Sequence, residues 1–459
     1  MFNAILINPW VYDFTYYNLW EKPVGLLKIA AGLKALGIKQ LHYIDCVDEK
    51  LKKKSEYEKG SGKITGSIVS KPLCFESVPR YYNKFGISRE QFIVRLKNAS
   101  ELCDKNQPIV ILITCMMTYW YSGAFETAEL VRQLLPDAKI ILGGIYARLL
   151  PDHAKKSGLF DFIETSGEVS TILKDIFQAA NADLAEELKK RFSMIDFDDL
   201  MPAYELMAEL NNSAALLTSS GCPYNCTYCA SNKLYPLYKK RNTDSIVRDI
   251  LYYKNTLQVE NIAFYDDALL YKKEEHFYRL AAEFLKTGIE INFHLPNAVH
   301  AALIDEYCAC LMKKMGFKTI RLGYEFYEGT EQKSSGGKVT NQSLINAVRN
   351  LLNAGFTQKE IGVYILLGHP LTDISQIKSA VDFVIDCGAT PNLSLYSPIP
   401  GTPDGERIFE KKPEFYNEPL MQNKTCFFEL YGSIKLDEYY SIKKYICDKL
   451  TKKISEKNL

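Results

Sequence analysis

Apolar positions along the chain fall into two alternating series, separated by a charged stretch. In the first, short apolar runs alternate with segments whose apolar residues recur every three to four positions. AILIN (4–8) reads as a strand that stops at Asn8-Pro9. VGLLKIAAGLKALGI (24–38) has helical spacing and reaches its C-cap at Gly37. Strands are predicted at 40–45 and 108–114, the latter apolar on both faces and so central in a sheet. A helix over 122–136, a strand over 139–144, a short strand over 160–168 and a helix to about 180 complete the series. This order predicts a Rossmann-like, doubly wound parallel sheet with ligands at the carboxyl ends of its strands. Residues 50–92 break the pattern: they are polar, rich in Gly, Lys and Tyr, and weakly periodic. They read as an insertion, and the mixed aromatic and basic run RYYNKFG favours a lid.

Residues 181–212 read as a charged helix and linker. The second series then predicts strands at 214–218, 261–265, 290–294, 318–323, 361–366 and 392–397. Helices are predicted at 243–256, 273–287, 300–314, 341–354 and 374–387. Six strand–helix steps imply a partial (β/α)6 barrel with its chemistry at the carboxyl ends of the strands. The expected division is a Rossmann domain over 1–185, a linker over 186–212, a barrel over 213–404 and a helical tail over 405–459.

Charge and cysteine content narrow the function. Lys plus Arg is 56 and Asp plus Glu is 55, which argues against a broad nucleic-acid or anionic-membrane surface. The N-terminal MFNAILINPW lacks the pattern of a signal peptide, and no apolar run reaches the roughly 18 residues of a membrane span. A cytoplasmic protein with reduced thiols is expected. Nine of the 12 cysteines are scattered and read as small buried hydrophobes. The other three, Cys222, Cys226 and Cys229, stand together in SSGCPYNCTYCAS, directly after the first strand of the second series. A structural zinc ion wants four protein ligands, and no His or Cys follows closely after Cys229. A redox pair would leave one thiol over. Three thiolates suit a 4Fe-4S cube whose fourth iron is open to an external ligand.

GCPYNCTYCA carries the CxxxCxΦC motif and resembles the radical S-adenosylmethionine superfamily, with Tyr228 at the aromatic position. The resemblance implies that the three thiolates hold the cluster and that S-adenosylmethionine chelates the open iron. One electron then cleaves the sulfonium to give a 5′-deoxyadenosyl radical that takes hydrogen from substrate. In the same resemblance, NIAFYDDALL places Asp266 and Asp267 at the end of the second strand, and IRLGYE offers Arg321 and Glu325 to the ribose or methionine moiety. The family's Gly-Gly-Glu-Pro stretch is absent after the second strand, where YDDALL stands instead. VYILLGHP and LYSPIPGTP resemble the family's fifth- and sixth-strand ends. Arg241 could hold a carboxylate or lie in a solvated turn, and His294, Asn297 and His300 could face the barrel mouth or be structural.

A Rossmann-like domain ahead of such a barrel resembles the cobalamin-binding class B arrangement. ITCMMTYWYSG and LGGIYARLLPDHA look like its two loops near the corrin, with Thr118, Tyr119 and Trp120 lining the ligand's face and Gly143 and Gly144 allowing close approach. The Asp-x-His-x-x-Gly signature is missing. The expectation is therefore a radical enzyme with a 4Fe-4S cluster, S-adenosylmethionine and, where cobalamin binds, methyl transfer to a small or medium organic substrate. It would draw electrons from a flavodoxin or ferredoxin. The alternatives are a cobalamin-independent radical oxidoreductase or cyclase, and an iron-sulfur redox sensor. A tRNA methylthiotransferase fits less well, because the N-terminal half has no matching cysteine trio.

Overall fold

A computed structural model describes residues 1–457 apart from 49, 183–185, 328–331, 333–338, 371 and 433. The chain forms two compact units. One comprises Met1–Ala214, Leu257–Val259 and Asn417–Leu420; the other comprises Ala215–Thr256, Glu260–Tyr416 and Met421–Leu459.

The first unit is built on a five-stranded parallel sheet in the order Phe162–Ile163, Lys139–Gly143, Ile109–Thr114, Asn3–Asn8 and Leu41–Asp45. The two longest apolar strands are central because helices cover both sheet faces. Phe2, Leu6, Leu33 and Phe177 fill one core; Ile5, Ile7, Phe92 and Val131 fill the other. The chain turns to one edge after its first strand and crosses to the other side with the third. That switch opens the carboxyl ends of Asn3–Asn8 and Ile109–Thr114 toward a shared crevice.

The insertion is not a structureless loop. Gly62–Ile64 pairs with Tyr16–Asn18, and Tyr82–Phe85 lies between Val11–Asp13 and Ser67–Val69, all antiparallel. Strands of three or four residues with mixed faces carry no clear alternation, and their partners lie far along the chain. The charged helix expected within 181–212 is present, and the stretch after it packs on the first unit. Glu186–Met194 is a helix, and Leu188, Phe197 and Ala203 are buried in the core that holds Phe177. The expected boundary at 185 lies outside the described residues. The strand expected over 160–168 covers only Phe162–Ile163, because the Glu164 carboxylate accepts from Ser166 N at 2.5 Å and turns the chain.

The second unit's main sheet runs Ser213–Leu216, Asn261–Phe264, Asn292–His294, Phe317–Glu325, Ile361–Leu367 and Thr390–Leu395. From Asn261–Phe264 onward each neighbouring pair is parallel, as a partial (β/α) barrel requires. The helix expected at 300–314 starts at Glu306, because Asp305 caps it by accepting from Cys308 N at 2.8 Å. The tail expected over 405–459 is helical, with Pro403–Lys411, Lys424–Leu430 and Leu436–Lys457 among its helices. Among the described residues no helix is long and apolar enough to cross a membrane.

Candidate active site at the cysteine loop

The three-cysteine loop leaves the first strand of the second unit and is pinned on both sides. Upstream, Ser219–Ser220 pairs antiparallel with Lys239–Lys240. Gly221 follows at φ +80°, and a Cβ there would stand 2.5 Å from Leu237 O, so glycine is needed for the turn. The buried Asp266 carboxylate accepts from Thr218 Oγ1 at 2.7 Å, Ser219 Oγ at 2.6 Å and Thr218 N at 3.1 Å. Asp266 was expected to meet the cofactor; its lone pairs are instead taken by the strand that leads into the loop. Burial raises its pKa despite those donors. Asp267 beside it is half-buried.

Downstream, Thr227, between Cys226 and Cys229, donates through Oγ1 to Asp404 Oδ2 at 2.7 Å, and Asp404 N donates to Thr227 O at 3.0 Å. His369 Nε2 lies 3.2 Å from the same carboxylate oxygen, and Arg407 Nη1 is 3.1 Å from its neighbour. Asp404 therefore ties the loop to the fifth-strand turn and to the helix Pro403–Lys411. Burial opposes its ionisation, but hydrogen bonds from His369 and Thr227 outweigh it and hold the carboxyl below its usual range. Neither Asp404 nor His369 stood out in the sequence; the PGTPDGE and GHP stretches were legible only as turns. Asp404→Ala should leave Thr227 and His369 short of a buried partner and cost about 1–3 kcal/mol. The expected readout is a lowered melting midpoint and less iron retained after desalting, with Asp404→Asn in between; an unchanged Asp404→Ala would remove its anchoring role.

Cys222 and Cys226 are half-buried, Cys229 is exposed, and none of the three is in a disulfide. Cys229 N donates to Cys226 O at 3.1 Å, which curls the loop into one turn. Among the described residues no three His, Cys, Asp or Glu side chains converge as ligands of a single metal ion. Tyr228 is half-buried, its ring 6.4 Å from that of Phe326. Burial, followed by the charge of Glu325, pushes its phenol well above the usual range.

Glu325 ends the fourth main strand at φ +57°, after a register shift against Ile361–Leu367. Its Oε1 lies over Gly323, where a Cβ would be 2.7 Å away. A non-glycine residue held in this conformation at a strand end is the kind of outlier found at ligand sites. Arg321 sits deeper on the same strand. Its Nη1 is 3.3 Å from Ile320 O, and burial lowers its pKa while Tyr364 beside it raises it. Arg241 is neither a solvated turn nor an open anion clamp: it is buried and pairs with buried Asp249 at 2.8 Å. Asn297 donates to Tyr265 O at 2.9 Å, and the His300 ring lies 4.7 Å from that of Tyr224 in the cysteine loop.

Two buried histidines in this unit are structural and neutral. His294 lies between Asn261 Oδ1 at 3.0 Å and Thr319 Oγ1 at 3.1 Å, and His276 Nε2 meets Thr218 Oγ1 at 2.8 Å. Burial lowers His294 to about 3 and His276 to about 4. The unfolded chain, with histidines near 6.5, then binds more protons below that pH, so stability falls on acidification. Each should cost roughly 2 kcal/mol on going from about pH 7 to about pH 5. Urea unfolding at the two pH values measures this, and His294→Gln should flatten the dependence. A pH-independent wild type would contradict it.

In the first unit, Thr118 and Tyr119 lie on a single 3-10 turn with side chains only 7% and 5% exposed. They pack into the core, so the flat lining surface expected of them is largely turned inward; Trp120 Nε1 is likewise spent on Asp13 Oδ2 at 2.9 Å. Gly144, at φ +92°, packs on the third strand's exit, where a Cβ would stand 2.6 Å from Cys115 O. Around Gly143 the space is open; the nearest atom to a Cβ would be Glu164 Cβ at 3.9 Å.

Residues 216–384 match the sequence model of the Radical SAM superfamily. The chain carries a radical SAM domain. That domain contains the cysteine loop, Asp266, Arg321, Glu325 and His369, while Asp404 lies beyond the matched residues. The chain is 20% identical to an uncharacterized methyltransferase of Pyrococcus horikoshii, over 66% of this chain and 70% of that protein. It also resembles the radical S-adenosylmethionine methyltransferase TsrM from Kitasatospora setae: TM-score 0.65, 15% identity, 90% of this chain and 76% of that one. A further likeness is to the cobalamin-dependent S-adenosylmethionine radical enzyme OxsB: TM-score 0.57, 14% identity, 91% of this chain but only 56% of that one. At these identities the likeness establishes a shared fold, a doubly wound sheet followed by a partial barrel and a helical tail.

Proposed function

We propose that this chain is a radical S-adenosylmethionine enzyme that transfers a methyl group to a small or medium organic substrate with the help of cobalamin. The observation that carries the first part is the cysteine loop. Three cysteines outside any disulfide stand at the exit of the first strand, inside the segment that matches the superfamily. Cys222, Cys226 and Cys229 would hold a 4Fe-4S cluster; with S-adenosylmethionine and an electron from a flavodoxin or ferredoxin it supplies a 5′-deoxyadenosyl radical.

The chain's own residues do the holding and orienting. Asp266 and Asp404 fix the loop from either side, and Tyr228 closes its inner face against Phe326. Glu325 and Arg321 offer one negative and one positive group along the fourth strand for the polar parts of S-adenosylmethionine, with Asp267 as a further candidate at the second strand's end. The second part rests on the Rossmann-like sheet, on the open space at Gly143, and on relatives whose names specify methyl transfer and cobalamin.

The test is anaerobic reconstitution with iron, sulfide and hydroxocobalamin, followed by desalting. The proposal expects four irons and about one cobalt per chain, and reductant-dependent release of 5′-deoxyadenosine. A full cluster without cleavage would favour a redox sensor. Cleavage without retained cobalt would favour a cobalamin-independent oxidoreductase or cyclase.

A further inference from the structure

The insertion of the first unit encloses a cavity of about 350 Å³ that none of the chemistry above uses. Lys50, Lys52, Lys53 and Lys63 line it, together with parts of Phe14 and Phe85. Both rings are almost wholly covered, Phe14 being 4% and Phe85 2% exposed, and Gly66 packs directly on Phe85, where a Cβ would stand 2.8 Å from the ring. Both phenylalanines are themselves anchored, Phe14 against Phe75 at 5.0 Å and Phe85 against Tyr16 at 5.7 Å.

The charge balance of this wall is one-sided. Glu56 is its single acid, and its nearest lysine is Lys53 at 3.7 Å. Lys50 lies over the Tyr57 ring at 4.9 Å. Lys52 and Lys63 have no ion-pair partner among the described residues. The chain as a whole carries only +1, so four ammonium groups around one concavity are a local concentration. They repel each other when the cavity holds only water, and the low-dielectric protein around them focuses their field on whatever enters. The volume is that of a small-molecule site.

We infer that this cavity binds a small organic anion, a phosphate ester or carboxylate held at the lysines. The insertion is then a ligand-holding element, and the site is independent of the cysteine loop. Binding is read by titration calorimetry on the full chain as purified, so failure here leaves the radical chemistry untouched.

The probes are naphthyl phosphate and naphthoate, with neutral naphthol as the comparison. One or both anions should bind, more weakly as salt rises, and naphthol should not; the tighter anion identifies the headgroup. Lys52→Glu with Lys63→Glu should weaken binding by about tenfold or more, while Lys105→Glu, outside the cavity wall, should not. The lysines are exposed, so the double variant should fold, which its melting midpoint checks. The inference is overturned if neither anion binds, if naphthol binds as well as they do, or if the folded double variant binds like wild type.

Discussion

Replacing Cys222, Cys226 or Cys229 with alanine is expected to abolish the cluster's visible absorbance. It should lower 5′-deoxyadenosine formation by roughly two orders of magnitude or more, the scale of loss when the group carrying the hard chemistry is removed. The reason is chemical and local. In the proposed site each thiolate would take one iron, and the loop sequence offers no fourth cysteine or histidine to replace a missing corner. The fold should survive, because Cys229 is exposed, Cys222 and Cys226 are half-buried, and the loop's anchors are other side chains. Exposed Cys447 is the control: Cys447→Ala should load iron and cleave S-adenosylmethionine like wild type. Wild-type iron content in any of the three loop variants would sink the ligand assignment.

Gly144→Val should unfold or loosen the first unit and, under the proposed function, abolish cobalamin retention while the cysteine loop still loads iron. Gly144 sits at φ +92°, where a β-branched residue is strained. Its Cβ would also stand 2.6 Å from Cys115 O and 2.7 Å from Cys115 N, which are backbone atoms and cannot swing aside. Strain and overpacking together should cost about 3 kcal/mol or more. Gly143→Ala is the contrast: no atom lies within 3.9 Å of its Cβ, so the sheet should stand and any loss of cobalt would come from the ligand's side. The measurement is cobalt and iron per chain with a thermal melt. A Gly144→Val protein that melts and binds cobalt like wild type would refute the crowding at this strand exit.

The chemistry of the cysteine loop was legible because it is local. Three thiols within eight positions, behind a Gly-Cys-Pro turn, need no tertiary knowledge to be read as cluster ligands. The main strands of both sheets were legible for a similar reason, since fully buried parallel strands are continuous apolar runs. The short strands of the insertion were not: Gly62–Ile64 becomes a strand only because Tyr16–Asn18 lies beside it. Asp404 and Thr227 are 177 positions apart, and no local pattern relates them. Asp266 illustrates the opposite error. Its place at a strand end suggested a ligand to the cofactor, yet the fold brings Thr218 and Ser219 to it first.

By itself the sequence determined the order of the main strands of both sheets and of the helices between them, because each is written in spacing along the backbone. Tertiary structure alone decided which polar side chains remain available for a ligand. Hydrogen bonds are short-ranged, and residues distant in sequence compete for every buried carboxylate, imidazole and guanidinium. Asp266, Asp404, His294 and Arg241 are held within the fold by such partners, whereas Lys52 and Lys63 face a cavity without one among the described residues.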